Sequence, residues 1–225
     1  MDPDRLAPVQ VEPGWAGRIA RHATVRPDAG SYVGPRTKLV TAGQQLLLER
    51  GDTTYTIDEL VRRAHVAIKT FYRCFANKEE FLKEVFMTSV AGATPRIREQ
   101  ILSSADDPLA RLRLAVTWPL EWRRENGTVS RVIAKEHMRL AVTSPETIAE
   151  TSRSYEALLK EFVLAAQEEG QIRPADVDWD VHIITSVVTT SFHTMILGPG
   201  EPGHHGALAE NVWRFCLTAL HGDPG

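Results

Sequence analysis

The most informative part of the chain is residues 56–82, TIDELVRRAHVAIKTFYRCFANKEEFL. Thr56 stands three residues before Glu59, so its hydroxyl can cap the Glu59 amide while the Glu59 carboxylate reaches back to the Thr56 amide. The apolar residues that follow recur at helical spacing, with charged residues on the opposite face. The pattern predicts an amphipathic helix over residues 56–64.

A second capping signal, Asn77 with Glu80, predicts the start of another helix, whose first turns carry an apolar stripe. Only one short helix, near residues 67–75, fits between the two. A helix of this length has little stability alone, so we expect it to dock on its neighbours through Phe71 and Phe75. This is the layout of a helix-turn-helix DNA reader: two helices, a tight connection and a docked short helix.

These residues resemble the TetR/AcrR family of bacterial transcriptional regulators. The similarity is carried by Thr56, Ala64, the run 70–72 (Thr-Phe-Tyr), Phe75 and the run 77–79 (Asn-Lys-Glu). The resemblance implies an all-α fold, in which an N-terminal three-helix helix-turn-helix DNA-binding domain precedes a larger helical ligand-binding and dimerisation domain.

Two positions depart from the family pattern. His65 stands at the turn where the family usually has glycine, and Ala67 stands where it usually has Ser or Thr as a helix cap. A left-handed His is uncommon but tolerated, and the missing cap costs about 1 kcal/mol. We expect both to affect the angle and rigidity of the short helix.

The chain is expected to divide into a largely disordered N-terminal arm (1–34), a DNA-binding domain (35–82) and a ligand-binding and dimerisation domain (83–225). The arm is rich in proline. Pro95 and Pro119 should kink or interrupt their helices. The predicted helices span 35–50, 56–64, 67–75, 77–102, 106–126, 128–141, 144–170, 178–197 and 203–221.

The formal net charge of −3 conceals a division along the chain. Residues 35–78 hold eight Lys or Arg against four acids, a net of +4, and residues 1–34 balance. Residues 79–225 hold 14 basic and 21 acidic residues, a net of −7. The positive charge is concentrated in the reader, as neutralisation of DNA phosphates requires.

The expected location is the cytoplasm. No apolar run approaches the ~20 residues that span a bilayer, and the first residues lack the basic and apolar regions of a signal peptide. Two cysteines, Cys74 and Cys216, fit a reducing compartment, and neither has the spacing of a metal ligand.

The predicted DNA contacts follow from position on the short helix and from the resemblance. Its first turn meets base edges in the major groove, and the helix ends around it meet phosphates. The alternatives are solvated charges and ordinary core residues. For Arg18, Arg21 and Arg26 of the arm, solvated charges are expected, and insertion into a minor groove is the alternative. The predicted DNA-binding residues are Arg36, Thr56, Ile68, Lys69, Thr70, Tyr72 and Lys78.

The resemblance also implies a homodimer formed by the last two helices, which meets a palindromic double-stranded DNA operator. These helices carry more apolar residues than two surface helices need. The residues predicted for the interface are Ile184, Val188, Phe192, Val212, Trp213 and Leu217.

A small apolar or aromatic inducer is expected in the C-terminal domain. Apolar walls with one or two polar groups describe most small-molecule sites, and they also describe any helical core. Pro119, between two tryptophans, is the most suggestive feature, because an interrupted helix leaves space. The predicted pocket residues are Phe86, Met87, Trp118, Trp122, His137, Met138, Tyr155 and Phe162.

Other classes of function have less support in the sequence. We find no nucleophile elbow, phosphate-binding glycine loop or metalloprotease motif, so an enzyme, a metal site and a cofactor are not expected. The predicted function is a ligand-responsive regulator, most simply a repressor. The alternatives are a DNA-binding regulator controlled by a partner protein or by oxidation of Cys74.

Overall fold

The computed structural model describes residues 34–125, 127–174, 176–197 and 207–221. All regular secondary structure in these residues is α-helical, which confirms the predicted fold class. Residues 1–33 of the predicted arm (1–34), which include Arg18, Arg21 and Arg26, lie outside them. The nine helices of the described part are α1 (Pro35–Arg50), α2 (Ile57–Arg63), α3 (Ile68–Cys74), α4 (Lys78–Ser104), α5 (Pro108–Glu125), α6 (Gly127–Thr143), α7 (Pro145–Glu168), α8 (Val177–Leu197) and α9 (Leu208–His221).

Helix α2 begins with the predicted capping box. The Thr56 hydroxyl accepts a hydrogen bond from the Glu59 amide at 3.2 Å, and the Glu59 carboxylate accepts one from the Thr56 amide at 2.8 Å. Arg50 at the end of α1 donates to the same carboxylate at 2.8 Å. The hydrogen bond from Arg50 lowers the pKa of Glu59 to about 2, so this carboxylate stays charged at neutral pH.

The turn between α2 and α3 adopts the backbone that the sequence predicts. His65 has φ = 52°, the only positive φ of a residue other than glycine in the described part of the chain. Ala67, at the cap position of α3, makes no side-chain capping hydrogen bond. Helix α3 therefore starts without a side-chain cap, and its position depends on its packing against other helices.

That packing is an aromatic cluster. The rings of Phe71, Phe75 and Phe81 lie 5.2–5.8 Å apart between centroids, and none is more than 1% exposed. Leu39 of α1 and Leu60 of α2 complete the same core. The short helix is therefore fixed by residues from both of its neighbours, at separations typical of favourable aromatic pairs.

Helix α1 approaches this cluster closely because it has no side chain at Gly43. A Cβ atom built at Gly43 lies 2.5 Å from Cζ of Phe81 and 3.0 Å from Cγ2 of Val85. Both atoms belong to α4, so the distance between α1 and α4 requires glycine at this position.

Pro95 and Pro119 both lie inside helices, α4 and α5, and neither helix is interrupted. Of the two predicted outcomes, a kink or an interruption, the structure excludes the interruption. Each proline costs one helical hydrogen bond, but the flanking residues are buried: Ile97 is 3% exposed and Leu120 is 3% exposed. Burial of these side chains offsets the loss, which propensity alone does not anticipate.

The described residues form two compact units. The reader unit contains residues 34–93 and 127–151, and the second unit contains 94–125, 152–174, 176–197 and 207–221. The reader unit is thus larger than the predicted 35–82 domain, because α6 and the start of α7 belong to it. In the second unit α5 packs against α8 and α9. The described helices include no candidate for a membrane-spanning segment.

The close approach at Gly43 generates a prediction. Replacing Gly43 by Ala forces the new methyl group against Phe81, so we expect a loss of about 1–3 kcal/mol in the free energy of unfolding. Gly92→Ala in α4 is the matched control, because a Cβ atom there meets nothing within 4 Å. It should gain about 0.5–1 kcal/mol from helix propensity. Urea unfolding of the two variants checks this, and equal effects would contradict the close packing.

Candidate functional site

The outer face of α3 presents apolar and basic side chains together. Ile68 is 46% exposed and Tyr72 is 57% exposed, while Phe71 between them is fully buried. Lys69 and Arg73 are exposed on the same short helix, and Thr70 is half-buried. For Tyr72 this excludes the alternative of an ordinary buried aromatic. A docked helix with this outer face has the side-chain types that contact base edges and phosphates.

Most of the basic residues that give the reader its charge are engaged inside it. Arg50 pairs with Glu59, and Arg63 pairs with Glu49. In contrast, the side chains of Lys38, Lys69 and Arg73 are exposed and form no hydrogen bond or ion pair with any described residue, so their charges remain available to a ligand. Two of these three residues lie on α3 and the third, Lys38, lies on α1.

Arg36 has an internal role that the sequence did not suggest. Its guanidinium donates to the Glu84 carboxylate at 3.1 and 3.4 Å and to the Cys74 carbonyl at 2.7 Å, and it lies 4.4 Å from the centroid of the Phe75 ring. Arg36 thus joins α1 to the end of α3 and to α4. These bonds use three of the five N–H donors of the guanidinium, so a phosphate contact at Arg36 stays a prediction that competes with them.

Thr56 is also committed within the protein. Besides accepting from the Glu59 amide, its hydroxyl lies 3.2 Å from the Glu59 carboxylate, to which it donates. The side chain is exposed, but its two hydrogen-bonding roles are both used by the capping box. A phosphate contact at Thr56 therefore stays a prediction that competes with the cap.

Lys78 shows the same competition more strongly. Its ammonium donates to the Thr53 carbonyl at 2.6 Å and to the Tyr55 carbonyl, and it lies 4.9 Å from the centroid of the Tyr55 ring. Burial lowers the pKa of Lys78 from its ordinary value. An ammonium has three donors, so one remains for a phosphate. The first residue of α4 thus anchors the loop between α1 and α2.

Arg73 is the residue that the sequence analysis left out of its DNA contacts. It follows Lys69 by four positions on α3, and the i, i+4 spacing puts both on one face of a helix. Spacing alone could therefore have selected Arg73. Its freedom from internal partners, which Arg36 lacks, becomes visible only in the structure.

Four of the predicted pocket residues, Phe86, Met87, His137 and Met138, belong to the reader unit. Phe86 and His137 lie with their ring centroids 6.2 Å apart, and Met87 is half-buried. Phe86 also lines a crevice of about 20 Å³, which has room for about one water molecule. Met138 is 47% exposed and lies on the surface. This exposure gives no support to a pocket lining at Met138, which stays a prediction.

The other predicted pocket residues belong to the second unit. Trp118 and Phe162 are buried in its helical core, and the Tyr155 hydroxyl donates to the Ala115 carbonyl at 3.0 Å. Burial raises the pKa of Tyr155. Trp122 lies on α5, and its side chain is outside the described part. These positions are compatible with a core or with a ligand-lining role, so the pocket prediction stays open.

Two family models match the chain. The model of bacterial regulatory proteins of the tetR family matches residues 39–85, and the model of the tetracyclin repressor-like C-terminal domain matches residues 105–193. The chain belongs to the TetR family of bacterial regulatory proteins. The first match covers all of α2 and α3, so the helix-turn-helix of this TetR-family chain is its DNA-binding element.

Solved structures of other TetR-family regulators share the fold. FadR from Bacillus halodurans is 20% identical, with a TM-score of 0.65 over 86% of this chain and 100% of that chain. FadR from Bacillus subtilis, in complex with stearoyl-CoA, is 19% identical, with a TM-score of 0.64 over 82% and 98%. FadR from Thermus thermophilus, in complex with lauroyl-CoA, is 19% identical, with a TM-score of 0.63 over 84% and 98%. No curated protein sequence matches the chain.

The residues predicted for the dimer interface of this TetR-family chain are mostly interior. Ile184, Val188, Val212 and Trp213 are at most 6% exposed in the single chain, so their side chains offer little area to a partner. They lie in the unit in which α5, α8 and α9 pack together, and their place in an interface stays a prediction. Phe192 and Leu217 are half-buried.

Different apolar residues of α8 and α9 face outward. Trp179 is 62% exposed, Ile183 is 39% exposed and Phe215 is 60% exposed. Exposed aromatic and aliphatic residues on these two helices are the feature that an interface requires.

Metal chemistry and thiol chemistry have little support in the described residues. Within them, no group of three His, Cys, Asp or Glu side chains is placed to hold a metal ion. Cys74 is half-buried at the end of α3. Cys216 is buried, and burial raises the pKa of its thiol to about 11, so it is a poor nucleophile at neutral pH.

The two roles of Lys78 can be separated by experiment. If Lys78 mainly anchors the loop, Lys78→Ala lowers thermal stability while the dependence of DNA affinity on salt is unchanged. If it mainly contacts a phosphate, the slope of log affinity against log salt falls by about 0.9. We expect the loss of stability to dominate, because the ammonium is already held by two carbonyls. A reduced slope at unchanged stability would contradict this.

Proposed function

We propose that this TetR-family regulator is a ligand-responsive repressor, which binds a palindromic operator as a homodimer and is released by a small apolar molecule. The observation that carries the DNA part is the outer face of α3. It combines exposed Ile68 and Tyr72 with two cations, Lys69 and Arg73, that have no internal partner.

The proposed contacts are divided by chemistry. Lys69 reaches guanine O6 or N7, and Ile68 or the Thr70 methyl group packs against a thymine methyl, since all three lie in the first turn of the recognition helix. Tyr72 and Arg73 contact phosphates. Thr56 and Lys78 add phosphate contacts only as far as their internal hydrogen bonds allow.

The proposed homodimer is formed by α8 and α9 through Trp179, Ile183 and Phe215. Half-sites of a palindrome lie about 34–36 Å apart, so two recognition helices held at that spacing bind together. Exposed apolar residues on both helices support this arrangement, and their burial by a partner removes them from water.

The proposed release acts through α4. This helix begins at Lys78, which contacts the loop between α1 and α2. Its residues beyond 93 belong to the second unit. A ligand in the second unit that shifts α4 therefore changes the position of α3. Such a ligand weakens DNA binding only to the extent that it binds the shifted state more tightly than the DNA-binding state.

The class of inducer is the least determined part of the proposal. The sequence favours a small apolar or aromatic molecule, and two structural neighbours are complexes with stearoyl-CoA and lauroyl-CoA. Fatty acyl-CoA thioesters are therefore the first compounds to test. Aromatic compounds of similar hydrophobicity are the comparison set.

The test of function begins with the purified protein and sheared genomic DNA. Selection of bound fragments should enrich a palindromic sequence, and acyl-CoA titration against that sequence should release the protein. Absence of an enriched palindrome would contradict the operator proposal. Enrichment without release by any acyl-CoA or aromatic compound would instead support the regulator that is controlled by a partner protein.

The recognition-helix assignment predicts the effect of Lys69→Ala. We expect operator affinity to fall by about 1–3 kcal/mol and discrimination at one base pair to be lost. Lys135→Ala on α6 is the matched control, since Lys135 is also exposed but lies outside the helix-turn-helix. Binding to a set of single-base operator variants measures both quantities. Unchanged base preference in Lys69→Ala would contradict the assignment.

The interface proposal predicts the effect of Phe215→Asp. A buried charge in the partner-facing surface should weaken dimerisation at least tenfold, a cost of about 1.4 kcal/mol. Folding of the single chain should be little affected, because Phe215 is exposed there. Val142→Asp is the matched control, since Val142 is 85% exposed on α6. Sedimentation velocity measures the association, and a Phe215→Asp dimer as tight as the unmodified one would rule out this surface.

A further inference from the structure

A narrow crevice lies inside the reader unit, between the loop before α2, helix α4 and helix α6. Its apolar walls come from Leu82 and Phe86 of α4 and from Val132 and Ile133 of α6. Leu82, Val132 and Ile133 are only half-buried, so the crevice opens to the surface beside them. Its volume is about 20 Å³, room for one group the size of a water molecule, such as a hydroxyl.

Tyr55 lines the crevice, and its side chain carries a buried hydroxyl group. Tyr55 is 1% exposed, and its hydroxyl oxygen has no hydrogen-bond partner among the described residues. Buried tyrosine hydroxyls usually find a partner, because an unpaired buried donor costs free energy. Tyr155, the buried tyrosine of the second unit, follows that rule through the Ala115 carbonyl.

The Glu136 carboxylate lines the same crevice. Burial and the nearby charge of Glu136 both raise the pKa of Tyr55, so the Tyr55 hydroxyl stays protonated and can donate a hydrogen bond. Glu136 already accepts hydrogen bonds from Arg139, at 2.6–3.1 Å. A carboxylate has about four acceptor positions, so capacity remains for another donor.

We propose that this crevice binds a small phenol, whose hydroxyl accepts a hydrogen bond from Tyr55 and donates one to Glu136. The aromatic ring lies at the mouth of the crevice, against Leu82, Phe86 and Ile133. This site is separate from the inducer site proposed for the second unit, and its occupation does not depend on that proposal.

The surrounding charges select a neutral hydroxyl compound over other classes. An anionic ligand is repelled by Glu136, and a cation competes with Arg139 for the same carboxylate. A purely apolar ligand leaves the Tyr55 hydroxyl unpaired. A phenol satisfies both polar groups, and its flat ring fits between aliphatic side chains and the edge of Phe86.

Occupation of the site acts on the start of the helix-turn-helix. Tyr55 directly precedes Thr56, the cap of α2, and its carbonyl accepts the hydrogen bond from Lys78. A ligand that fixes the Tyr55 ring therefore restrains the loop from which α2 begins. A ligand bound at this site therefore stabilises the helix-turn-helix.

The test measures binding of 4-fluorophenol to the full chain by ligand-observed fluorine NMR. Fluorobenzene is the matched ligand control, because it lacks only the hydroxyl group. We expect saturable binding of 4-fluorophenol, which Tyr55→Phe weakens about fivefold, the effect of one hydrogen bond. Tyr155→Phe is the matched protein control and should bind as the unmodified protein does. A thermal melt of each variant verifies that it is folded.

A second variant tests the location without changing Tyr55. Ile133→Phe fills the mouth of the crevice and should abolish binding of 4-fluorophenol. Equal binding of 4-fluorophenol and fluorobenzene, unchanged binding by Tyr55→Phe, or no saturable binding at all would each overturn the proposal. Weakening by Tyr155→Phe alone would move the ligand to the second unit and overturn it as well.

Discussion

The packing of Phe71, Phe75 and Phe81 is the interaction on which the reader depends. Helix α3 has seven residues and no side-chain cap, so its own hydrogen bonds cannot hold it in water. The aromatic cluster fixes it between α1, α2 and α4, and Gly43 lets α1 come close enough to complete the cluster. If this packing is lost, the unit loses its fold and its DNA-reading surface together.

The sequence predicted the features that depend on neighbouring residues. The capping box of Thr56 and Glu59, the left-handed His65 and the bounds of the helices all follow from residues within a few positions of one another. Such local rules are strong enough to place nine helices within a few residues in the described part of the chain. Family resemblance supplied the fold class, which the structure and the family models confirm.

Features that depend on distant partners were not predictable in the same way. Arg36 and Lys69 are both basic residues of the reader, but only Arg36 meets an acid and a carbonyl far along the chain. Periodicity likewise showed that α8 and α9 are apolar, but it could not tell which of their faces is interior. Ile184 and Phe215 look alike in a sequence, while one is 3% and the other 60% exposed. The sequence could not decide between a kink and an interruption at Pro119, because helix propensity ignores the burial around the proline.

The left-handed backbone at His65 restricts how this turn can evolve. Asn, Asp and His adopt such a conformation more readily than other residues with a side chain, whereas β-branched residues are strongly disfavoured. A single-base change converts a His codon into one for Asn or Asp, but not into one for Gly. Drift at this position can therefore exchange residues that keep the turn without passing through one that breaks it. The turn can therefore keep its geometry in chains that have lost the glycine, and a motif search that requires glycine will miss them.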